Sequence, residues 1–196
     1  LCYMKGVNEI GACRVCLVEI EGARNLAASC VQPVSEGMVV RTSTQKVRDT
    51  RKATLELILS EHNQDCLSCV RNKNCELQDL TEQYGIRRST QHYERRNEPV
   101  DDRSFSIVRD PSKCILCGRC VSACQKQDIG VLAFTNRGFR TKIAPSFDVS
   151  MADAPCVYCG QCIIACPVGA LYEKEEIETV WDALHNPKKH VVFQVA

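Results

Sequence analysis

The sequence predicts an α+β chain of several small units, each organised around cysteine instead of one large apolar core. Three observations carry this. Fifteen of 196 residues are cysteine, close to the level of roughly 8 % at which a cysteine framework dominates a fold. Only 44 % of residues are apolar even with those cysteines counted, and small units with little core need another staple. The cysteines also fall into four groups of short, fixed spacing.

Composition excludes several classes of function. Twenty-five Lys and Arg nearly balance twenty-four Asp and Glu, for a formal net charge of +1. That balance gives no electrostatic case for nucleic acid or a membrane surface. No apolar run approaches the roughly 20 residues that span a bilayer. The opening LCYMKGVNEI lacks the basic start and apolar core of an export signal. A reducing, cytoplasmic compartment is therefore expected, where cysteines read as metal ligands or catalytic groups. The odd count would also leave one thiol over if all were paired as disulfides.

The first group is Cys2, Cys13, Cys16 and Cys30, spaced C-x10-C-x2-C-x13-C. It keeps a central C-x2-C and a distant fourth ligand, although it is not the plant-type spacing. CLVEIEG (16–22) and NLAASCV (25–31) read as a hairpin around Gly22, and GMVV (37–40) as another short strand. A ligand loop against a small sheet fits a β-grasp-like [2Fe–2S] unit over residues 1–45, its leading strands missing. Zinc or free thiols is the alternative.

The second group is His62, Cys66, Cys69 and Cys75, over a helical unit placed at 46–90. Residues 44–61 carry Val47, Leu55, Ile58 and Leu59 on one face, with Thr44 as N-cap. That helix delivers His62 to three cysteines in need of a fourth partner, so the group reads as a His/Cys3 [4Fe–4S] site. A neutral imidazole in place of a thiolate makes the site less negative and favours the reduced form. His92, His185 and His190 have no such neighbours and read as surface residues.

Residues 86–112 hold six arginines and five acids with few apolar side chains, and the stretch 91–112 reads as a solvated connector. The last two groups form a repeat at an offset of 42 residues. KCILCGRCVSACQ (113–125) aligns with PCVYCGQCIIACP (155–167), each carrying C-x2-C-x2-C-x3-C. Successive thiols at that spacing turn inward around one inorganic core, and the fourth points away from where a helix is starting. In the bacterial ferredoxin run that fourth cysteine ligates the other cluster. This assigns Cys114, Cys117, Cys120 and Cys166 to one [4Fe–4S] cluster. Cys156, Cys159, Cys162 and Cys124 take the other, within a two-cluster ferredoxin-like unit at 113–175. Gln125 stands where the second run has Pro167, so the turn after Cys124 is less rigid. Structural zinc is the alternative, but zinc sites pair two C-x2-C knuckles.

Between the runs, VLAFTNRGFRTKI (131–143) reads as a hairpin around Asn136-Arg137-Gly138. Residues 173–185 read as a helix, with Ile177, Val180, Trp181 and Leu184 as contacts to another domain. Asn186-Pro187 ends it. KKHVVFQVA reads as a strand that stops mid-run, so residues 176–196 are expected to lead into a further domain. Both ends read as cut.

Together GACRVCLVEIEG, HNQDCLSCVRNKNCELQ, CILCGRCVSAC with NRGF, and CVYCGQCIIACPVGALYEK resemble the accessory iron–sulfur region of [FeFe]-hydrogenases over essentially the whole chain. The large subunit of NADH dehydrogenase and the alpha subunit of some formate dehydrogenases carry a similar region. HNPKKHVVFQVA resembles the entry into a hydrogenase catalytic domain, which favours hydrogenase over formate dehydrogenase. The resemblance implies one [2Fe–2S] and three [4Fe–4S] clusters that feed an H-cluster in a domain outside this segment. It implies no catalytic acid or base here. It also implies hetero-oligomeric partners: a flavin subunit handling NAD(H) or NADP(H) and a thioredoxin-like [2Fe–2S] subunit, or a soluble ferredoxin. Electrons are expected to enter at the [2Fe–2S] or His62 site, with the Cys114/Cys166 cluster nearest the H-cluster. Loaded with clusters of roughly −2, or −1 with histidine, the chain would sit near −6. The arginines of 86–112 would then face buried negative charge.

Overall fold

A computed structural model describes residues 1–87 and 98–195. Part of the connector, with His92, lies outside the described residues. Chain order begins with a three-stranded antiparallel sheet of β1 (Leu17–Ile20), β2 (Ala27–Ala28) and β3 (Val40–Arg41), in the order β2-β1-β3. Leu17 pairs with Ala28 and Glu19 with Arg41, so the expected hairpin forms and β1 lies at the centre.

Helix α1 (Gln45–Glu61) starts where Thr44 Oγ1 accepts the Val47 N–H at 3.3 Å, satisfying one orphan donor of the first turn. Val47, Leu55 and Leu59 are buried, and Arg51 falls on the same stripe at i+4 spacing. Its Nε and Nη2 donate to the Leu17 carbonyl at 2.9 and 2.6 Å, tying the helix to the central strand. The helix stops at His62, which turns extended (φ −80, ψ 135) as its N–H bonds Leu59 O. Helix α2 (Glu76–Gln83) begins at Cys75 and buries Leu77.

The second half is built from paired short elements. β4 (Ile107–Arg109) pairs antiparallel with β7 (Leu171–Glu173), and β5 (Leu132–Thr135) with β6 (Lys142–Pro145). Helices α3 (Arg119–Lys126) and α4 (Gln161–Ala165) start at the two repeats. The repeat holds at the backbone. Leu116 and Tyr158 take φ 54 and 55, and Gly118 and Gly160 φ 80 and 73. The glycines turn the ligand loop left-handed into the helix, a conformation other residues take at a cost. α3 runs on to Lys126, whereas α4 stops before Cys166 and Pro167, as Pro limits the residue before it. The helices thus begin before the fourth cysteine: Cys124 lies inside α3, and Cys166 caps α4.

Four expectations change. The end of the connector expected at 91–112 is not solvated: Ile107, Val108, Arg109 and Asp110 are buried, because β4 pairs with β7. Glu173 is a strand residue opposite Ile107, so the last helix, α5, spans only Ile177–His185; ladder pairing overrides the local helical pattern. The hairpin loop is longer than its Asn136-Arg137-Gly138 signal, and holds a 3₁₀ turn at Gly138–Arg140. Residues 188–195 form no strand, having no partner among the described residues with which to build a ladder. Among the described residues no helix is long and apolar enough to cross a membrane.

One core runs through all of this. Leu55, Leu59, Leu77, Ile107, Leu132 and Met151 belong to the same buried cluster as Cys120, Cys162 and Cys166. Asp101 closes its edge. Ser150 Oγ and the Met151 N–H donate to its carboxylate, and its main chain exchanges hydrogen bonds with Arg109. Burial pushes the Asp101 carboxyl up, but these donors and the Arg109 guanidinium outweigh it and hold it below the usual range. A depressed carboxylate stabilises the fold above its unfolded value of about 3.9, and that contribution is lost as pH falls through the native value. Asp101→Asn is therefore expected to flatten the acid limb of stability, measured by thermal melts between about pH 6 and 2. Parallel curves for the two proteins would contradict this.

Candidate metal centres

The first group converges where the loop before β1 meets the end of β2. Cys2 is fully buried, the Cys13 N–H donates to its Sγ at 3.4 Å, and Cys16 and Cys30 sulfurs lie 3.3 Å apart. Burial, then Cys16, Cys2 and Cys13, push the Cys30 thiol up to about 11. Burial pushes Cys13 and Cys16 up as well, but backbone N–H donors outweigh it and hold both below the usual thiol value. Those donors favour thiolate at these two positions.

Of the second group, Cys66, Cys69 and Cys75 gather between α1 and α2, and His62 stands at the end of α1. Cys66 and Cys75 are raised by burial first and then by nearby cysteines. His62, 7 % exposed, lies 3.0 Å from the Lys113 carbonyl through Nδ1. A carbonyl only accepts, so Nδ1 carries a proton, which leaves Nε2 as the nitrogen through which this ring could ligate a metal. This is the arrangement of a metal-ligating imidazole, whose other nitrogen donates to a carbonyl or carboxylate. Cys66 also faces Lys113, whose ammonium lowers its thiol against burial. The loop after the second repeat passes over the site. A Cβ on Gly169 would lie 2.7 Å from Cys69 Sγ, so a larger residue there would push that sulfur aside.

The last two groups cross. One cavity is lined by Cys114, Cys117, Cys120 and Cys166, together with Arg109, Lys142 and Gly118. A second is lined by Cys124, Cys156, Cys159 and Cys162, with Ile107, Leu132 and Met151 behind them. Each holds three thiols of one repeat and the fourth of the other. Burial above all pushes Cys117 and Cys162 up to about 12, and Cys120 well above the usual value. The fields of their own ring-mates add to it, Cys166 acting on Cys117 and Cys124 on Cys162. The first cavity is sheltered, with Cys117, Cys120 and Cys166 buried, whereas Cys159 of the second is exposed. Among the described residues no three His, Cys, Asp or Glu side chains close on a single metal ion; the thiols of the last two groups ring cavities.

Several contributing residues have no sequence motif. Arg109 and Lys142 line the first cavity and are both buried. Of the arginines expected to face the sites, Arg109 lines the first cavity and Arg103 pairs with exposed Asp153, whereas Arg88, Arg95 and Arg96 lie outside the described residues. Asn8, wholly buried, donates through Nδ2 to Cys2 O (2.7 Å) and Cys117 O (3.1 Å), and accepts from Ser122 Oγ. Arg119 clasps Glu76 with two bonds of 2.6 and 3.0 Å and reaches Tyr3 O at 3.2 Å. Arg71 donates to Ile163 O and Cys166 O, both at 3.2 Å. These bonds tie residues beside the ligands of one site to those of the next.

Comparison with known proteins agrees with the geometry. Residues 1–45 match a 2Fe-2S iron-sulfur cluster binding domain, 51–90 the NADH-ubiquinone oxidoreductase-G iron-sulfur binding region, and 113–170 a 4Fe-4S dicluster domain. The chain is 48 % identical over 190 residues to NADP-reducing hydrogenase subunit HndD of Solidesulfovibrio fructosivorans, covering 96 % of this chain and 32 % of that one. It is 39 % identical over 199 residues to iron hydrogenase 1 of Clostridium pasteurianum (100 % and 34 %). With the NADH-ubiquinone oxidoreductase 75 kDa subunit of Reclinomonas americana it shares 36 % over 146 residues (73 % and 21 %). Among solved structures it resembles a chain of the NAD+-reducing [NiFe]-hydrogenase in the H2-reduced state. The TM-score is 0.83 at 28 % identity, over 89 % of this chain and 74 % of that one. The chain thus spans about a third of the two hydrogenase sequences.

The raised thiols set a pH dependence. Cys30, Cys117, Cys120 and Cys162 are held as thiols at neutral pH, so any ligation through them must release those protons. Uptake of iron and sulfide is expected to weaken as pH falls from about 8.5 to about 6, measured as iron bound after anaerobic reconstitution. Uptake independent of pH over that range would contradict it.

Proposed function

Because the chain belongs with the iron–sulfur electron-transfer regions of hydrogenase and NADH-oxidoreductase subunits, we propose that it relays electrons through one [2Fe–2S] and three [4Fe–4S] clusters to an H-cluster domain of an [FeFe]-hydrogenase. The observation that carries this is the crossed pair of cavities. Crossing is what two adjacent cubes of the bacterial ferredoxin type require, and two independent zinc knuckles have no need of it. The hydrogenase relatives weigh for this reading over formate dehydrogenase.

In this reading Cys2, Cys13, Cys16 and Cys30 hold the [2Fe–2S] cluster. His62, Cys66, Cys69 and Cys75 hold one [4Fe–4S] cluster, Cys114, Cys117, Cys120 and Cys166 the next, and Cys124, Cys156, Cys159 and Cys162 the last. The units run 1–45, 46–90 and 113–175, and the half-exposed stripe of Ile177, Val180, Trp181 and Leu184 on α5 faces a further domain. A bound cluster supplies reversible one-electron storage. The protein supplies placement and potential, and buried Arg109 and Lys142 stabilise added negative charge in the first cavity. The exposure of Cys159 and the links of the Cys114 site to the first two sites, through Asn8 and through Lys113, support an order other than the one expected from the tail, with the Cys114 site as the middle station and the Cys159 site as the exit. The outside partner is a ferredoxin or a flavin subunit handling NAD(P)H, with a thioredoxin-like [2Fe–2S] subunit in multimeric forms.

The loaded chain is expected to carry about 14 iron atoms with acid-labile sulfide, by metal and sulfide analysis; zinc without sulfide would sink the proposal. Cys166→Ala is expected to remove the cluster of the first repeat. Loss limited to the cluster of the second repeat would refute the crossing. His62→Ala should perturb only the second site in electron paramagnetic resonance spectra, and an unaltered second signal would show that His62 is not a ligand.

A further inference from the structure

His62 and Cys114 belong to different sites, yet very little separates them along bonds. The His62 Nδ1–H donates to the carbonyl of Lys113 at 3.0 Å. That carbonyl carbon is bonded to the amide nitrogen of Cys114. From the imidazole ring to Cys114 Sγ the route is one hydrogen bond, one peptide link and one cysteine side chain. The carbonyl is held by a built turn. Pro111–Lys113 forms a 3₁₀ turn that Asp110 caps, accepting the Ser112 N–H at 3.0 Å and its hydroxyl at 2.6 Å. Asp110 Oδ2 also faces Lys113 Nζ at 3.6 Å. The Asn63 N–H donates to Ser112 O at 2.9 Å, fixing the residue after the imidazole to the same turn. Asp110, Pro111 and Lys113 are all buried.

The geometry points to this hydrogen bond as the bonded electron path between the second and third sites, with Asp110 as the residue that positions it. The inference rests on the ligand sets proposed above. It gives histidine a task that cysteine cannot perform. A thiolate has one sulfur and no donor, whereas a metal-bound imidazole keeps a second nitrogen whose N–H reaches outward. One electron leaves the ligand set that includes His62 and arrives at the set that includes Cys114. The proton stays on Nδ1 throughout, so the step needs no other reactant.

The test uses the cluster-loaded chain, reduced by a pulsed one-electron photoreductant and followed by freeze-quench electron paramagnetic resonance. Midpoint potentials of both sites are measured in parallel, so that changes in driving force are separated from changes in coupling. His62→Cys is expected to keep a four-iron centre yet lose the fast equilibration with the Cys114 site. Asp110→Ala leaves every ligand in place and loosens the turn, so the same fast phase is expected to slow. Asp110→Asn, which keeps the accepting oxygen without its charge, is expected to restore it. Equilibration in Asp110→Ala as fast as in the unchanged chain would overturn the path, and this arm decides even where His62→Cys does not load. Histidine-nitrogen coupling in pulsed spectra of the unchanged chain reports separately on the ligand. Its absence overturns the His62 assignment and the path with it, whereas its presence with an unaltered fast phase in Asp110→Ala overturns the path alone.

Discussion

Cys166 closes α4 at the end of the second repeat yet faces the cavity of Cys114, Cys117 and Cys120, while Cys124 does the reverse from inside α3. Neither ring closes unless the two helices lie side by side, so the thiols and the buried Val121 and Ile163 together set the relation of α3 to α4. The rest is arranged around that pair. β4 and β7 flank it as an antiparallel ladder, and the hairpin of β5 and β6 lays Lys142 against the first cavity. Cys120, Cys162 and Cys166 sit in the same buried cluster as Leu132 and Met151. In a chain with so modest an apolar stock, proposed metal ligands and core share residues.

Around this centre the polar groups serve electrostatics and docking together. Arg109 and Lys142 bring cationic charge to a cavity where the proposed occupant is negative, and burial makes that charge count for more than it would at the surface. Lys142 is held in turn by Glu98 and Asp148. Burial alone would lower its ammonium, but hydrogen bonds to these two carboxylates raise it above the usual lysine value. The units meet through the shared buried cluster and also through directed hydrogen bonds, those of Arg119, Arg71 and Asn8. Such contacts specify distance and orientation, which is what a relay requires.

Much of this could be read from the chain because the deciding information is local. Thr44 caps α1, and Gly118 and Gly160 mark the loops that turn into α3 and α4. The spacing of thiols within each run is a property of a dozen residues. What escaped depends on partners remote in sequence. Glu173 looks helical until Ile107 is available to pair with it. The Val191–Val195 run looks like a strand and has no neighbour among the described residues to make it one. Arg109 sits in a stretch that reads as solvated, and its pairing with β7 and its bonds to Asp101 and the Ile143 carbonyl bury it. Lys113 carries no motif beyond standing before a cysteine, and its carbonyl matters because α1 ends against it.

Asn8 has a consequence for how such proteins diversify. Its side chain is wholly enclosed and serves Cys2, Cys117 and Ser122 at once, and a buried polar group left without partners costs roughly 1–3 kcal/mol. The amino-terminal unit is therefore not a freely portable cassette. Grafted onto a different two-cluster unit, it would carry an amide cut to fit one particular surface, and the mismatch would be felt at the joint where spacing between sites is set. Exchange of such units between lineages is constrained to move Asn8 and the α3 surface together, or to rebuild the joint.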